Sequence, residues 1–399
     1  MNLGGNSTFS GSTTINAGTV AISNSGALGS SAGGTTIASG ATLSLSGGIT
    51  ISDAISVAGV GVSGTGAIVN TSGNNTIAGL VTLTGNTTIG SLAGTLTFDV
   101  STGNAFTGTY DLTFDGAGSF AVADPIATGT GGVTKNGAGT LTMTGDNTYT
   151  GLTILNAGGL SFTRINSDSL TISAGTTVML GAAGVISDTA AVTIYGTFDL
   201  NGYSEEVGSI AGTGLITSSR SGTPTLTVGG NNSSTTFSGV LGNGLSVVAL
   251  TKTGTGTMTL GSANTYTGVT TITGGAISIA ADAGLGVAPG SASSGALVLN
   301  GGSVIASDTF ELNSNRGIAL TGAGTIEVAS AKTLTYNGVI TGSGGFTKSG
   351  AGTLVLGGTN LNSGSFAVNA GTATLNIANA IASVSGVSVA NTAGATLNI

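Results

Sequence analysis

A strand-and-turn segment that occurs three times constrains the fold more than any other feature of this sequence. Gly139-Thr-Leu-Thr-Met-Thr-Gly-Asp-Asn-Thr-Tyr-Thr-Gly151 recurs 117 residues later as Gly256-Thr-Met-Thr-Leu-Gly-Ser-Ala-Asn-Thr-Tyr-Thr-Gly268. A third version, Gly352-Thr-Leu-Val-Leu-Gly-Gly-Thr-Asn-Leu-Asn-Ser-Gly364, follows after another 96 residues. A unit this short cannot bury its apolar face alone, so stacked units are needed to form a continuous core. The repeat therefore predicts a solenoid.

The positions that the copies share are the candidate repeat-defining residues, and they have structural rather than catalytic roles. They are Lys135, Gly139, Asn147, Tyr149 and Gly151 in the first copy, Lys252, Gly256, Asn264, Tyr266 and Gly268 in the second, and Lys348, Gly352, Asn360 and Gly364 in the third. The third copy departs from the pattern, because Asn362 stands where the other two have tyrosine.

The shared lysines and tyrosines each have two interpretations. We expect the lysines to be solvated turn residues that discourage lateral strand pairing. The alternative is that a partner protein or the secretion machinery recognises their charge. We expect the tyrosines to pack over a turn or inside a coil. The alternative is that Tyr149 and Tyr266, together with Phe9, form exposed platforms that stack on carbohydrate.

Apolar residues alternate with Thr and Ser over short runs, as in Leu141/Met143, Met258/Leu260 and Leu354/Leu356. Alternation of this kind predicts strands with one buried face, and Gly, Asn or Asp closes most runs with turns. No 3.6-residue period is sustained, so helices should be nearly absent. We predict an all-β parallel β-coil solenoid with roughly 20 residues per coil, forming a single elongated domain over residues 1–399.

Both ends of the sequence fall inside repeat units. Residues 2–22 form a partial copy, and the last five residues, Ala395–Ile399, repeat Ala373–Ile377. We therefore expect a fragment that is truncated at both ends, with the other copies at 132–162, 249–279 and 343–376.

Composition excludes several classes of function. The sequence has no His, Cys or Trp, and only 7 Lys and Arg among 399 residues. It therefore lacks the residues of a Ser-His-Asp triad, a zinc site or a thiol nucleophile, and its few cations cannot form a nucleic-acid surface. The 74 Gly suggest disorder, but a mean hydropathy of +0.45 favours a buried core. We expect no catalytic residue, cofactor or metal.

Other motifs have weaker functional interpretations. Gly59–Gly64 fits a dinucleotide pattern and Gly29–Gly33 a nucleophile elbow, but neither has its helix or histidine partner. The candidate carboxylate pairs are Asp111 with Asp115 and Glu205 with Glu206. They leave open a β-helical module that binds or cleaves polysaccharide. Thr-x-Thr pairs leave an ice-binding array as a further alternative, and an exposed apolar patch would indicate a dedicated adhesin.

The repeat resembles the autotransporter-associated beta-strand repeat, also called the passenger-associated transport repeat. The resemblance implies a right-handed parallel β-helix that is exported across the outer membrane of a Gram-negative bacterium and is secreted or displayed at the cell surface. It implies an outer-membrane translocation barrel as partner, and this sequence does not contain one. The expected role is a non-enzymatic passenger stalk that contributes to virulence. Such a stalk would support self-association, or adhesion to a host cell, a neighbouring cell or a polysaccharide.

Overall fold

A computed structural model of the chain consists of short parallel strands, which form where apolar residues alternate with small polar ones. The structure describes residues 1–377, 381, 383–391 and 394–399, so six residues of the expected 1–399 domain lie outside the described residues. The chain divides into two compact units, Met1–Phe198 and Asp199–Ile399. The described residues contain no α-helix; two short 3-10 turns are formed by Val62–Gly64 and Asp282–Leu285. Each unit is a parallel β-solenoid, which confirms the predicted fold class.

The strands of unit 1 are short and are separated by turns of a few residues. They are β1 (Asn2–Leu3), β2 (Thr13–Ile15), β3 (Gly18–Ile22), β4 (Thr35–Ile37), β5 (Ala41–Leu45), β6 (Thr50–Ile51), β7 (Ile55–Gly59), β8 (Ile68–Asn70), β9 (Asn75–Ile77), β10 (Val81–Ser91), β11 (Thr95–Phe98), β12 (Phe106–Thr107), β13 (Leu112–Asp115), β14 (Ser119–Val122), β15 (Ile126–Ala127), β16 (Val133–Lys135), β17 (Thr140–Met143), β18 (Thr153–Leu155), β19 (Gly159–Phe162), β20 (Ser169–Ile172), β21 (Thr177–Leu180), β22 (Ala191–Ile194) and, at the end of the unit, β23 (Thr197–Asp199).

Three stacks of strands make up the faces of unit 1. Sheet 1 stacks β2, β4, β7, the first half of β10, β12 and β15. Sheet 2 stacks β1, β3, β5, β8, the second half of β10, β13, β16, β18, β20 and β22. Sheet 3 stacks β6, β9, β11, β14, β17, β19 and β21. The coils from β4 to β17 contribute a strand to each face, whereas the later coils of the unit contribute strands only to sheets 2 and 3.

The register gives the coil length directly. Leu112 pairs with Val133 and Val133 pairs with Thr153, so successive coils here take 21 and 20 residues, close to the expected length. Inward positions form apolar ladders, and Phe98, Phe106, Phe114 and Phe120 form one aromatic cluster with ring centroids 4.6–6.3 Å apart. These interleaved rings fill the narrow core between the three sheets.

Unit 2 has the same construction. Its strands are β24 (Glu205–Val207), β25 (Ser209–Gly212), β26 (Leu215–Thr217), β27 (Thr225–Val228), β28 (Thr235–Phe237), β29 (Val240–Leu241), β30 (Ala249–Lys252), β31 (Thr257–Leu260), β32 (Thr270–Ile272), β33 (Ala276–Ile279), β34 (Ser293–Leu299), β35 (Ser303–Ala306), β36 (Phe310–Leu312), β37 (Arg316–Leu320), β38 (Gly324–Val328), β39 (Thr333–Tyr336), β40 (Ile340–Gly342), β41 (Phe346–Ser349), β42 (Thr353–Leu356), β43 (Phe366–Val368), β44 (Thr372–Leu375), β45 (Val387–Val389) and β46 (Thr396–Asn398).

Two long stacks and two shorter ones organise these strands. Sheet 4 contains β24, β27, β30, β32, β34, β37 and β40. Sheet 5 contains β25, β28, β31, β33, β35, β38, β41, β43 and β45. The shorter stacks are β26 with β29, and β36, β39, β42, β44 and β46.

The two complete repeat copies of unit 2 occupy different faces. Lys252 lies on β30 in sheet 4, whereas Lys348 lies on β41 in sheet 5. The 96 residues between these lysines therefore advance the third copy by one face. The repeat consequently specifies a coil corner that can be placed at more than one edge of the solenoid.

The described residues include no helix that is long and apolar enough to cross a membrane.

Candidate functional site: the repeat corner

The repeat glycines lie where the backbones of successive coils come into contact. A Cβ atom added to Gly139 would lie 1.8 Å from the carbonyl oxygen of Gly118, which is far inside van der Waals contact. Comparable clashes would occur at every other repeat glycine: 2.5 Å from Gly131 C at Gly151, 2.2 Å from Ser233 O at Gly256, 2.4 Å from Val248 O at Gly268, 2.2 Å from Ala329 O at Gly352 and 2.1 Å from Gly344 O at Gly364. Glycine is therefore required here by close approach.

The three repeat lysines are buried, so the expectation of solvated turn residues is wrong. Lys135, Lys252 and Lys348 have at most 1% of their surface exposed. Each occupies an inward position of its strand and stacks within an apolar ladder; Lys135, for example, pairs with Phe114 below and Leu155 above. The alternation of apolar and polar residues predicts that the lysines lie on the buried face of their strands, and only their charge favours a solvent-exposed position.

Each buried ammonium group is held by backbone carbonyls of the turn that follows its strand. Lys348 Nζ donates to the carbonyl oxygens of Ser349 at 2.6 Å, Gly350 at 2.7 Å and Ala370 at 3.1 Å. Lys135 Nζ donates to Asn136 and Gly137, and Lys252 Nζ to Thr253 and Gly254. The lysine therefore satisfies carbonyls that a tight turn leaves unpaired inside the corner.

Burial weakens the basicity of these amines. Desolvation lowers the pKa of Lys135 and of Lys348 to about 8, and it lowers the pKa of Lys252 as well. The carboxylates of Asp115 and Glu327 act in the opposite direction on Lys135 and Lys348. The charged form is thus retained near neutral pH at a cost in desolvation.

The repeat asparagines of the first two copies hold adjacent coils together, whereas, among the described residues, Asn360 Oδ1 accepts only from the nearby Asn362 N–H. Asn147 Oδ1 accepts a hydrogen bond from the backbone N–H of Ile126 at 3.0 Å, and Nδ2 donates to the carbonyls of Gly145 and Arg164. Asn264 repeats this arrangement, accepting from Leu241 N–H at 2.8 Å. One side chain therefore hydrogen-bonds to the coils on either side of its own.

The repeat tyrosines fill the corner from within, which agrees with the expected packing role. Tyr149 and Tyr266 are fully buried. The Tyr149 hydroxyl is 2.8 Å from Thr153 Oγ1, and the Tyr266 hydroxyl is 2.7 Å from Thr270 Oγ1. Burial raises the pKa of Tyr149, and that of Tyr266 to about 12. The carbohydrate-platform interpretation of these two rings is therefore wrong, although Phe9 is 45% exposed.

The third copy changes both members of this tyrosine–threonine pair. Asn362 occupies the tyrosine position, and Phe366 occupies the position of Thr153 and Thr270. Phe366 stacks on Phe346 with centroids 5.5 Å apart and planes inclined by 17°. Asn362 Nδ2 donates to the Gly344 carbonyl at 3.2 Å, whereas Asn362 Oδ1 and Asn360 Nδ2 are buried without a partner in the structure. An aromatic pair has replaced the buried hydroxyl pair.

The candidate carboxylate pairs do not form a two-carboxylate site. Glu205 and Glu206 are adjacent on β24, so their side chains point to opposite faces of the sheet, and Glu205 is buried. Asp111 precedes β13 and Asp115 ends it, so about 13 Å of extended chain separates their α-carbons, more than the distance between the two carboxyl groups of a glycosidase. No group of three metal-ligating residues occurs in the part of the chain that the structure describes.

One buried ion pair of unit 2 was missed by sequence reasoning. Arg316 is 2% exposed and binds Asp282 with both side chains engaged, Nε to Oδ1 at 3.0 Å and Nη2 to Oδ2 at 3.1 Å. It also donates to the carbonyls of Leu285 and Gly286. The partners are 34 residues apart and outside every repeat copy, so no local pattern points to them.

The residues that form the repeat corners lie in segments that a protein-family model matches. The family model described as passenger-associated-transport-repeat matches residues 1–22, 133–162, 250–279 and 346–372. These four segments of the chain match the passenger-associated-transport repeat. In each of the last three repeats the matched segment includes the buried lysine, the close-contact glycines and the asparagine of one corner. The search of curated proteins finds no match, and neither does the search of solved structures.

Proposed function

We propose that this chain is a stalk region within the surface-exposed passenger of an autotransporter-like protein of a Gram-negative bacterium. The single observation that carries the proposal is the fourfold match to the passenger-associated-transport repeat, in a chain whose two units are both parallel β-solenoids. The stalk presents more distal regions away from the cell, and its partner during export is an outer-membrane translocation barrel.

The fold supports a transport-linked role because each coil is stabilised by its neighbours. Hydrogen bonds and ladders run from one coil to the next, so folding can propagate coil by coil once a first corner has formed. The absence of Cys from the sequence means that no disulfide can lock the chain before export. We further propose that the folded passenger has no catalytic activity and supports adhesion or self-association through many weak contacts along its flank.

Surface display tests the proposal. The full chain is placed between a signal peptide and a translocation barrel, and externally added protease is used to measure how much folded passenger reaches the surface of intact cells. We expect a protease-resistant passenger outside the cell. A chain that is retained in the periplasm in every such fusion contradicts the proposal.

Glycine variants provide a matched comparison for this assay. Gly139→Val places a side chain against the Gly118 carbonyl, whereas Gly290→Val, outside every repeat copy, enters open space. We expect the first variant to reduce the protease-resistant surface fraction several-fold and the second to leave it unchanged. Equal surface display of both variants would show that export does not depend on the packing of the repeat corner.

A further inference from the structure

An open groove crosses the coils of unit 1 next to the first repeat corner. Its volume is about 580 Å³, and it extends from the coil of Val60 to that of Asp168. We call it the unit 1 groove and define it by six residues, three that form its floor and three that form its walls: Thr88, Thr113 and Thr134, and Asp111, Leu152 and Asp168.

The floor is a ladder of threonine hydroxyls. Thr88 pairs with Thr113 and Thr113 with Thr134, all three in outward, half-buried positions of sheet 2. Stacked coils place these hydroxyls at intervals of about 4.8 Å. Because the strands beneath are already paired on both sides, the groove has no free strand edge to which an extended peptide could add.

The walls combine hydrogen-bond acceptors with an apolar contact. Asp111 and Asp168 are exposed, and Asp111 Oδ1 accepts from the Gly132 N–H at 2.8 Å, which fixes its carboxylate at the rim. Leu152 is 56% exposed and follows the repeat glycine Gly151 directly. Carboxylates that accept hydrogen bonds from hydroxyls, next to an aliphatic surface for a sugar ring, suit a pyranose.

The charges of the groove and of the whole chain restrict the class of ligand further. None of the described residues that line the groove is Lys or Arg, and the whole chain has a net charge of −8, so anionic ligands are repelled. Among the described residues no group of three ligating side chains could hold a metal ion to bridge such a ligand. A neutral, hydroxyl-rich polymer fits the remaining chemistry.

We infer that the unit 1 groove binds one strand of a neutral polysaccharide, with successive sugar units lying along the coil axis over the threonine ladder. Asp168 and the free edge of Asp111 accept hydrogen bonds from sugar hydroxyls, and Leu152 contacts the apolar face of a ring. This inference goes beyond the stalk role and does not depend on it.

Affinity electrophoresis of the full chain tests the inference, with hydroxyethyl cellulose, galactomannan and dextran as neutral probes and polygalacturonate as the anionic probe. We expect at least one neutral polymer to retard the chain and polygalacturonate not to. In the double variant Leu152→Ala/Asp168→Asn, affinity for that polymer should fall about tenfold, since a charge-assisted hydrogen bond becomes a neutral one and the apolar contact with the ring is lost.

The control variant carries the same changes outside the groove, as Val269→Ala/Asp99→Asn. Val269 is the equivalent of Leu152 in the second copy, and Asp99 is an exposed carboxylate of unit 1. The control should bind like the parent chain, and thermal unfolding by circular dichroism should show both variants folded. Absence of retardation by every neutral polymer, equal retardation by polygalacturonate, or an unchanged affinity in the groove variant would overturn the inference.

Discussion

The corner built around Tyr149 and the corner built around Asn362 fill the same space with different chemistry. Tyr149 occupies its corner with a ring whose hydroxyl is 2.8 Å from Thr153 Oγ1. In the third copy Asn362 is smaller, and Phe366 stacks on Phe346 instead. The glycines, the lysine and the first asparagine are common to both corners. The comparison teaches that backbone approach and lysine placement define the corner, whereas its filling can vary as a pair.

The largest effect is expected at glycines that both corners share. Gly151→Ala and Gly364→Ala each force a methyl group against the preceding coil, and each should destabilise its corner by about 3 kcal/mol, at the upper end for overpacking. Native-state hydrogen exchange measures the local opening free energy. Gly290→Ala, which enters open space, serves as the control. If only one of the two variants is destabilised, the two corners do not have the same close backbone approach between coils.

The next effect tests whether the filling residues change as a pair. Tyr149→Asn alone leaves a cavity and should cost about 3 kcal/mol. Adding Thr153→Phe supplies the ring that the third copy uses, and the double variant should recover about half of the loss. A double-mutant cycle read by hydrogen exchange checks the coupling. Strict additivity of the two changes would contradict the pairwise account.

Removing the hydroxyl alone should have a smaller effect. Tyr149→Phe and Tyr266→Phe keep the ring but leave the buried hydroxyl of Thr153 or Thr270 without this partner, at a cost of about 1 kcal/mol each. The same method measures both variants, and Phe346→Leu, which keeps an apolar side chain in the third corner, provides a reference without a hydroxyl. A cost below about 0.3 kcal/mol would show that the hydrogen bond is dispensable.

The two kinds of corner should also differ in their response to pH. The pKa of Lys135 and of Lys348 falls from 10.5 to about 8 on folding, so the folded state releases its proton first and local stability rises between pH 8 and 10.5. Burial raises the pKa of Tyr149 above its ordinary value of 10.0, so the unfolded chain ionises first and stability falls above pH 10. The Tyr149 corner should therefore be most stable near pH 10. Burial also raises the pKa of Tyr336, which pairs with Leu356 one coil before the Asn362 corner, so that corner should show a smaller fall above pH 10.

Thiol labelling resolves this difference between the corners. The chain has no Cys, so a single cysteine can report on each corner, introduced as Leu155→Cys or as the equivalent Val368→Cys. Labelling rates from pH 7 to 10.5, corrected for thiolate ionisation, give the local opening free energy. Identical pH profiles at the two positions would remove the proposed role of the tyrosine.

The sequence was most informative where the pattern is local. Period-two runs such as Leu141/Met143 predicted the buried faces, and the recurring Gly139 and Gly151 predicted the coil corners. The burial of the lysines runs against their charge but follows their strand position, because Lys135 lies two residues after Val133 and therefore on the same buried face. The Arg316–Asp282 pair and the unit 1 groove depend on which coils become neighbours, and that information is absent from any single segment.

Acetylation of the native chain tests the central claim, that the repeat lysines are core residues, most directly. The four lysine side chains are Lys135, Lys252, Lys332 and Lys348, and only the side chain of Lys332 is substantially exposed, at 39%. Peptide mass spectrometry after brief treatment with an acetylating reagent should find Lys332 modified and the other three protected at least a hundredfold until denaturant is added. Equal modification rates at all four lysines in the native chain would contradict the account.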